Sequence, residues 1–126
     1  LQTLARECYK TTMPLNQKYV DGLEFCKNPR NGFAENQGVG LGKLLEAVKI
    51  LHAAGFTTHI LATVDKDGSL FSDCLFVRPP TNKKTIKVDM AMDAFIAIAK
   101  LTPSESDKVM LPDLVNGVSV CRFWWD

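Results

Sequence analysis

Residues 41–77 read LGKLLEAVKILHAAGFTTHILATVDKDGSLFSDCLFV, and this stretch decides the fold class. Leu41, Leu44, Leu45, Val48 and Leu51 recur at intervals of three and four, which places them on one face of an α-helix. Glu46 and Lys49 fall on the opposite, outward face. Gly55 stands where a helix ends in a left-handed cap, a conformation that is cheap only without a Cβ. Directly after it, Thr57–Val64 is rich in β-branched residues and predicts a strand. Asp65-Lys66-Asp67-Gly68 is a run of turn formers, and Ser69–Val77 predicts the returning strand of a β-hairpin.

Working outward, Pro79-Pro80 breaks the hairpin, Thr81–Lys84 reads as a polar loop and Thr85–Val88 as a short strand. A helix is expected from Asp89, with Met92, Phe95, Ile96 and Ala99 on one face. Thr102-Pro103-Ser104-Glu105 has the form of a new helix start: Thr102 can cap, Pro103 suits the first position and Glu105 can reach back. Asn116-Gly117 turns the chain into a final strand, Val118–Trp125. On the other side, Leu1, Leu4, Ala5, Cys8 and Tyr9 predict an amphipathic helix that Pro14 ends. Leu15, Tyr19, Leu23 and Cys26 line one helical face, so residues 15–26 read as a second helix, although Val20-Asp21-Gly22-Leu23 also fits a tight hairpin. Residues 28–42, NPRNGFAENQGVGLG, read as a long loop, a feature that in a compact domain usually serves function or motion. The expected architecture is therefore one α+β domain over residues 1–126. Its small sheet has three or four strands, the central hairpin plus the C-terminal strand, packed by helices. Starting on Leu and ending just after two tryptophans, the chain reads as a fragment of a longer polypeptide.

Composition narrows the function classes. With 46% hydrophobic and 23% charged residues the chain can build a core. Fifteen Lys and Arg against fourteen Asp and Glu leave a net charge of +1, which supplies little attraction to nucleic acid or an anionic membrane. No apolar run approaches the roughly 18 residues that a membrane-spanning helix needs. Cys8, Cys26, Cys74 and Cys121 show no C-x-x-C spacing, and His52 and His59 are not spaced as a zinc-finger pair, so no metal site is expected. The cysteines read as small, reduced hydrophobes, which implies a cytoplasmic, reducing compartment.

Several motifs fall short of a known chemistry. Gly38-Val39-Gly40-Leu41-Gly42-Lys43 leads into the central helix, where bare backbone N–H groups, the helix dipole and Lys43 would favour an anion. Yet the phosphate-loop pattern would need glycine where Gln37 stands and Ser or Thr where Leu44 stands, and a mobile helix start explains the same glycines. Asp65–Ser69 opens like a calcium loop, but Leu70 and Phe76 occupy the positions that need Gly and Glu. Leu61-Ala62-Thr63-Val64-Asp65-Lys66-Asp67-Gly68 resembles the first hairpin of flavin-binding split-barrel proteins. The segment beyond it reads as helix where that family has barrel strands, so no flavin site is carried over and no cofactor is expected. Cys74 and His59 lie on strands expected to pair, and would make a nucleophile and base if they share a face. Asp89 and Asp93 are four apart, but capping accounts for the first and solvent for the second.

Basic and aromatic residues gather in two places. Lys83, Lys84 and Lys87 follow the hairpin, and Arg122-Phe123-Trp124-Trp125 closes the chain. Successive strand residues point to opposite faces, so Trp124 and Trp125 should splay to the two sides of the sheet. Either helices cover both, or one anchors a partner, as Trp often does at interfaces. Every catalytic constellation lacks a member, so the leading expectation is a non-catalytic, intracellular interaction or regulatory domain. It would bind another protein, or a second copy, through Arg122, Trp124 and Trp125, away from membranes. The first alternative is an RNA or single-stranded nucleic-acid module using Lys83, Lys84 and Lys87 with Arg122 and an exposed Trp. The second is a small enzyme or anion-ligand domain using Gly38, Gly40, Gly42 and Lys43.

Overall fold

Period-two alternation of apolar residues, more than helix periodicity, organises this molecule. A computed structural model of the protein describes residues 16–78, 92–110 and 119–126. In chain order the elements are β1 (Gln17–Asp21), α1 (Gly22–Lys27), β2 (Gly32–Phe33), a 3-10 turn (Glu35–Gln37) and α2 (Gly40–Ala53). They continue with β3 (Thr57–Val64), β4 (Leu70–Ser72), β5 (Cys74–Arg78), α3 (Met92–Ala99), β6 (Glu105–Met110) and β7 (Ser119–Trp124).

β3 is the spine of one mixed sheet. β1 pairs antiparallel along one side of it, while β4 and then β5 pair antiparallel along the other. β7 lies beyond β5, and β6 beyond β7, again antiparallel; β2 runs parallel to β4. β4 and β5 are one strand broken by a bulge. Thr63 faces Phe71, yet Ile60 faces Leu75, so the returning strand carries one extra residue at Ser72–Asp73. Ser72 repairs the ladder there: its Oγ donates to the Leu61 carbonyl (2.8 Å) and accepts the Cys74 amide (3.1 Å). The bulge is also a branch point. The Ser72 carbonyl accepts from Ala34 N (2.9 Å), and the Asp73 carbonyl from Trp125 N (3.0 Å), so two separate segments dock on adjacent peptides.

The two faces of the sheet carry different cores. On the helix side, Leu44, Ala47, Val48 and Leu51 of α2 and Phe95 and Ala99 of α3 pack on Ile60, Ala62, Leu75, Val77, Cys121 and Phe123. On the other side Leu61, Cys74, Phe76, Val120 and Trp124 form a second buried cluster, with Tyr19 packed against it. α1 sits close to β3: a Cβ on Gly22 would lie 2.0 Å from Thr58 Oγ1, so only glycine fits at its first position. Asp21 caps this helix by accepting from Leu23 N (3.0 Å) and Glu24 N (3.2 Å).

The central readings agree with the structure. The helix expected around Leu41–Leu51 spans Gly40–Ala53, Gly55 ends it at φ 96°, and Thr57–Val64 is a strand. The class is α+β, but among the described residues the sheet has seven strands rather than the three or four expected. The shortfall has four causes, the first being that the bulge splits the expected returning strand Ser69–Val77 into β4 and β5. Of residues 15–26, expected to be helical, 17–26 divide between β1 and α1, because pairing with β3 puts Val20 on the main core and Tyr19 on the opposite cluster. Residues 28–42 are not wholly a loop, since β2 and the 3-10 turn interrupt them. The helix expected to start at Thr102–Glu105 is the strand β6: six residues pair with β7, and that long-range ladder overrides a local capping pattern. The expected helix over residues 1–13 and the expected strand Thr85–Val88 lie outside the described residues. Among the described residues, no helix is long and apolar enough to cross a membrane.

Candidate functional site

The glycine-rich segment forms one wall of a cleft of about 370 Å³, near the lower end of the range for small-ligand sites. Its construction starts at Asn31, which is buried and ties the segment down by donating to the Phe25 carbonyl (2.8 Å) and accepting from Leu70 N (2.9 Å). The chain then turns tightly. Ala34 (φ 44°) and Gly38 (φ 77°) are left-handed, and the Gly38 and Val39 amides donate back to Glu35 and Ala34. α2 begins without a side-chain cap, because Val39 at the capping position has no oxygen to offer its first amides. Lys43, on the first turn, is exposed and donates from Nζ to the Gly38 carbonyl (3.0 Å). Glu46 and Ile50 continue this wall up the helix.

The opposite wall is Ala99–Thr102, where α3 ends and the chain turns toward β6. Lys100 makes that turn in a left-handed conformation (φ 62°) while its amide still donates to the Ile96 carbonyl (3.0 Å). Trp125 also lines the cleft. It is held edge-on against Phe33 (5.3 Å between centroids) and Phe95 (6.3 Å). Phe95 in turn stacks on Phe123 at 4.0 Å. An indole gripped on two sides is a fixed surface, not a mobile one. The cleft thus offers apolar surface from Val39, Ile50, Leu101 and Trp125, two ammonium groups, and one carboxylate at Glu46.

The residues singled out from sequence are distributed unevenly. Gly38 and Lys43 line the cleft; Gly40 and Gly42 do not, although a Cβ on either would meet nothing within 4 Å. Trp124 and Trp125 point to opposite faces, as strand geometry requires, and are 9% and 3% exposed. Arg122 is 0% exposed. Its Nε donates to Asp107 Oδ1 (2.9 Å), its Nη2 donates to Asp107 Oδ2, and its guanidinium lies 4.5 Å from the Trp124 ring centre. Arg122 and Trp124 are therefore occupied with one another and with β6. Lys83, Lys84 and Lys87 lie outside the described residues.

His59 and Cys74 share a face of the sheet, but Phe76 is the residue opposite His59, and Cys74 lies further along that face. Cys74 is fully buried. Burial holds the His59 imidazole below its ordinary pKa, opposed by the Asp21 charge and reinforced by Arg78 and His52. Burial likewise pushes the Cys26 thiol up to about 11. A protonated, buried thiol is a poor nucleophile. Among the described residues, no group of three or more His, Cys, Asp or Glu side chains is placed to hold a metal ion.

Sequence reasoning missed the far wall of the cleft. Lys100 and Leu101 follow a helix whose end has no glycine to mark it, and Thr102 was expected to cap a helix that is a strand. No local pattern could bring them to Gly38 and Lys43; the return of β6 beside β7 does so. Comparison with known proteins finds no matching protein family, no similar curated protein and no similar solved structure.

Proposed function

We propose that the chain is a non-catalytic interaction domain that receives an acidic segment of a partner protein in the cleft between the glycine-rich turn and Ala99–Thr102. The observation that carries this reading is that one cleft gathers Gly38 and Lys43 from the anion-favouring segment with Trp125 from the C-terminal end. Lys100, from a third part of the chain, adds a second cation. Two ammonium groups beside apolar and aromatic surface suit a carboxylate-bearing chain, which gains charge attraction at the rim and burial within. The uncapped amides at the start of α2 add favourable partial charge. The indoles act differently from the sequence expectation: Trp125 contributes as a fixed wall, not as an anchor offered outward.

A nucleic acid is a poorer fit, because Arg122 is committed to Asp107 inside the sheet. A Cys74–His59 catalytic pair is also poorly supported, since burial withholds the thiol from solvent.

The test uses Trp125 as the reporter. In a Trp124→Phe background, Trp125 emission should shift on titration with a hexaglutamate peptide, with affinity falling as salt rises. Reversing both cations, Lys43→Glu with Lys100→Glu, should weaken that binding by about tenfold or more. A peptide that leaves the emission unchanged at low salt, or that binds the charge-reversed protein equally well, would remove the reading.

A further inference from the structure

The Ser72–Asp73 bulge holds a charge arrangement that neither the cleft nor the packing explains. Asp73 is half-buried, and its Oδ1 has no hydrogen-bond partner among the described residues. A buried carboxylate oxygen left without a donor is costly when ionised. The charged group that acts on it is another acid, Asp126, immediately after Trp125. Meanwhile residues 124–126 are tied down by three bonds. Trp125 N donates to the Asp73 carbonyl (3.0 Å), Ser104 N to the Trp124 carbonyl (2.8 Å), and Asp126 N to Ser104 Oγ (2.9 Å). Asp73 therefore faces the like charge of Asp126 through its side chain while holding Trp125 through its backbone.

We propose that Asp73 and Asp126 form a proton-controlled latch on residues 124–126: with Asp73 protonated this segment is seated on the bulge, and with both acids ionised their repulsion loosens it. In the loosened form the Trp125–Asp73 backbone bond weakens, and Trp125 loses its fixed place between Phe33 and Phe95. Titratable and charged groups on the neighbouring strands include the Cys74 thiol, next on the same strand, Glu105, which pairs with Trp124 on the far side of β7, and further along β7 and β6 the Cys121 thiol and the Arg122–Asp107 pair. No cation is placed against Asp73 to offset the charge of Asp126 among the described residues.

The sign follows from linkage. Burial first, and the Asp126 charge second, push the Asp73 carboxyl up to about 6, above its value in an unfolded chain. The folded state then binds the extra proton, so the stabilisation is complete at acid pH and is lost as pH rises through about 6. This inference does not depend on what the cleft binds, and its readout needs no ligand.

In a Trp124→Phe protein, quenching of Trp125 by acrylamide should increase as pH rises through about 6, with the far-ultraviolet dichroism unchanged. Asp73→Asn, which keeps the shape and removes the titration, should stay protected and flat across that range. Asp126→Asn, at an exposed position, should move the midpoint downward, and decides the matter if Asp73→Asn does not fold. A flat profile in the parent protein overturns the latch. So does an unchanged midpoint in either variant, which would pass the transition to another group such as His59.

Discussion

The two faces of the sheet are buried by different physics. On the helix side, Phe25, Phe33, Trp125, Phe95 and Phe123 form a continuous string of ring contacts, each with its neighbour within 6.3 Å. Nothing in that string is charged, and its stability comes from area removed from water and from close packing. On the opposite side, the fully buried Arg122 sits among Leu61, Cys74, Phe76 and Val120, paired with Asp107 and stacked on Trp124. A charge in such a place is stable only while its partner remains, and the desolvation it suffers offsets most of what the pair gains. The comparison shows that equal burial does not mean equal tolerance. One face depends on volume, the other on charge balance.

The largest expected effect tests the apolar face. Phe95→Ala empties the middle of the aromatic string and should cost about 3–5 kcal/mol in urea denaturation, nearly independent of salt. An effect below about 1 kcal/mol would mean that α3 collapses into the gap and that the string is not a rigid unit.

Next comes the charged face, where two variants separate the pair's value from the cost of breaking it. Asp107→Ala leaves Arg122 buried without its carboxylate and should cost about 3 kcal/mol; Asp107 is partly exposed, so water softens the penalty. Replacing both, Arg122→Met with Asp107→Leu, should restore stability to within about 1 kcal/mol of the parent. A double variant as damaged as the single one would show that the pair itself stabilises the sheet, and the contrast between faces would fail.

The smallest effect probes the rim where the helix layer meets β3. Gly22→Ala pushes a methyl group against Thr58 and should cost about 1–3 kcal/mol. Pairing it with Thr58→Ser leaves the hydroxyl in place and should recover little, whereas Thr58→Ala should recover part of the loss, since the Cβ at position 58 still lies 2.9 Å from the added methyl. Thermal unfolding of the three variants checks the order.

What the sequence revealed divides along the same lines. α2, the Gly55 cap and β3 are legible because their signals are local: a helical period, a residue suited to positive φ, and a β-branched run. The splaying of Trp124 and Trp125 is legible for the same reason, since alternation is a property of any strand. β1 and β6 were not legible. Tyr19 and Leu23 satisfy a helical period by coincidence, and Ser104, which looks like part of a helix start, instead accepts the Asp126 amide and donates its own to Trp124. Both strands form because a partner distant in sequence supplies the ladder. Half of the cleft was visible in advance through Gly38 and Lys43; Lys100 and Leu101 reach it only through tertiary return.

The extra residue at Ser72–Asp73 also fixes which way the rest of its strand faces. Upstream of it Leu70 joins the helix-side core, and downstream Leu75 and Val77 do so while Cys74 and Phe76 turn away. Strand orientation is a matter of odd and even count, and the inserted peptide shifts that count once. Flattening the bulge with all of its residues kept would therefore turn β5 inside out. Phe76 would be driven under the helices, and Leu75 and Val77 would face Arg122, whereas loss of the one extra residue would leave a regular ladder with Leu75 still opposite Ile60.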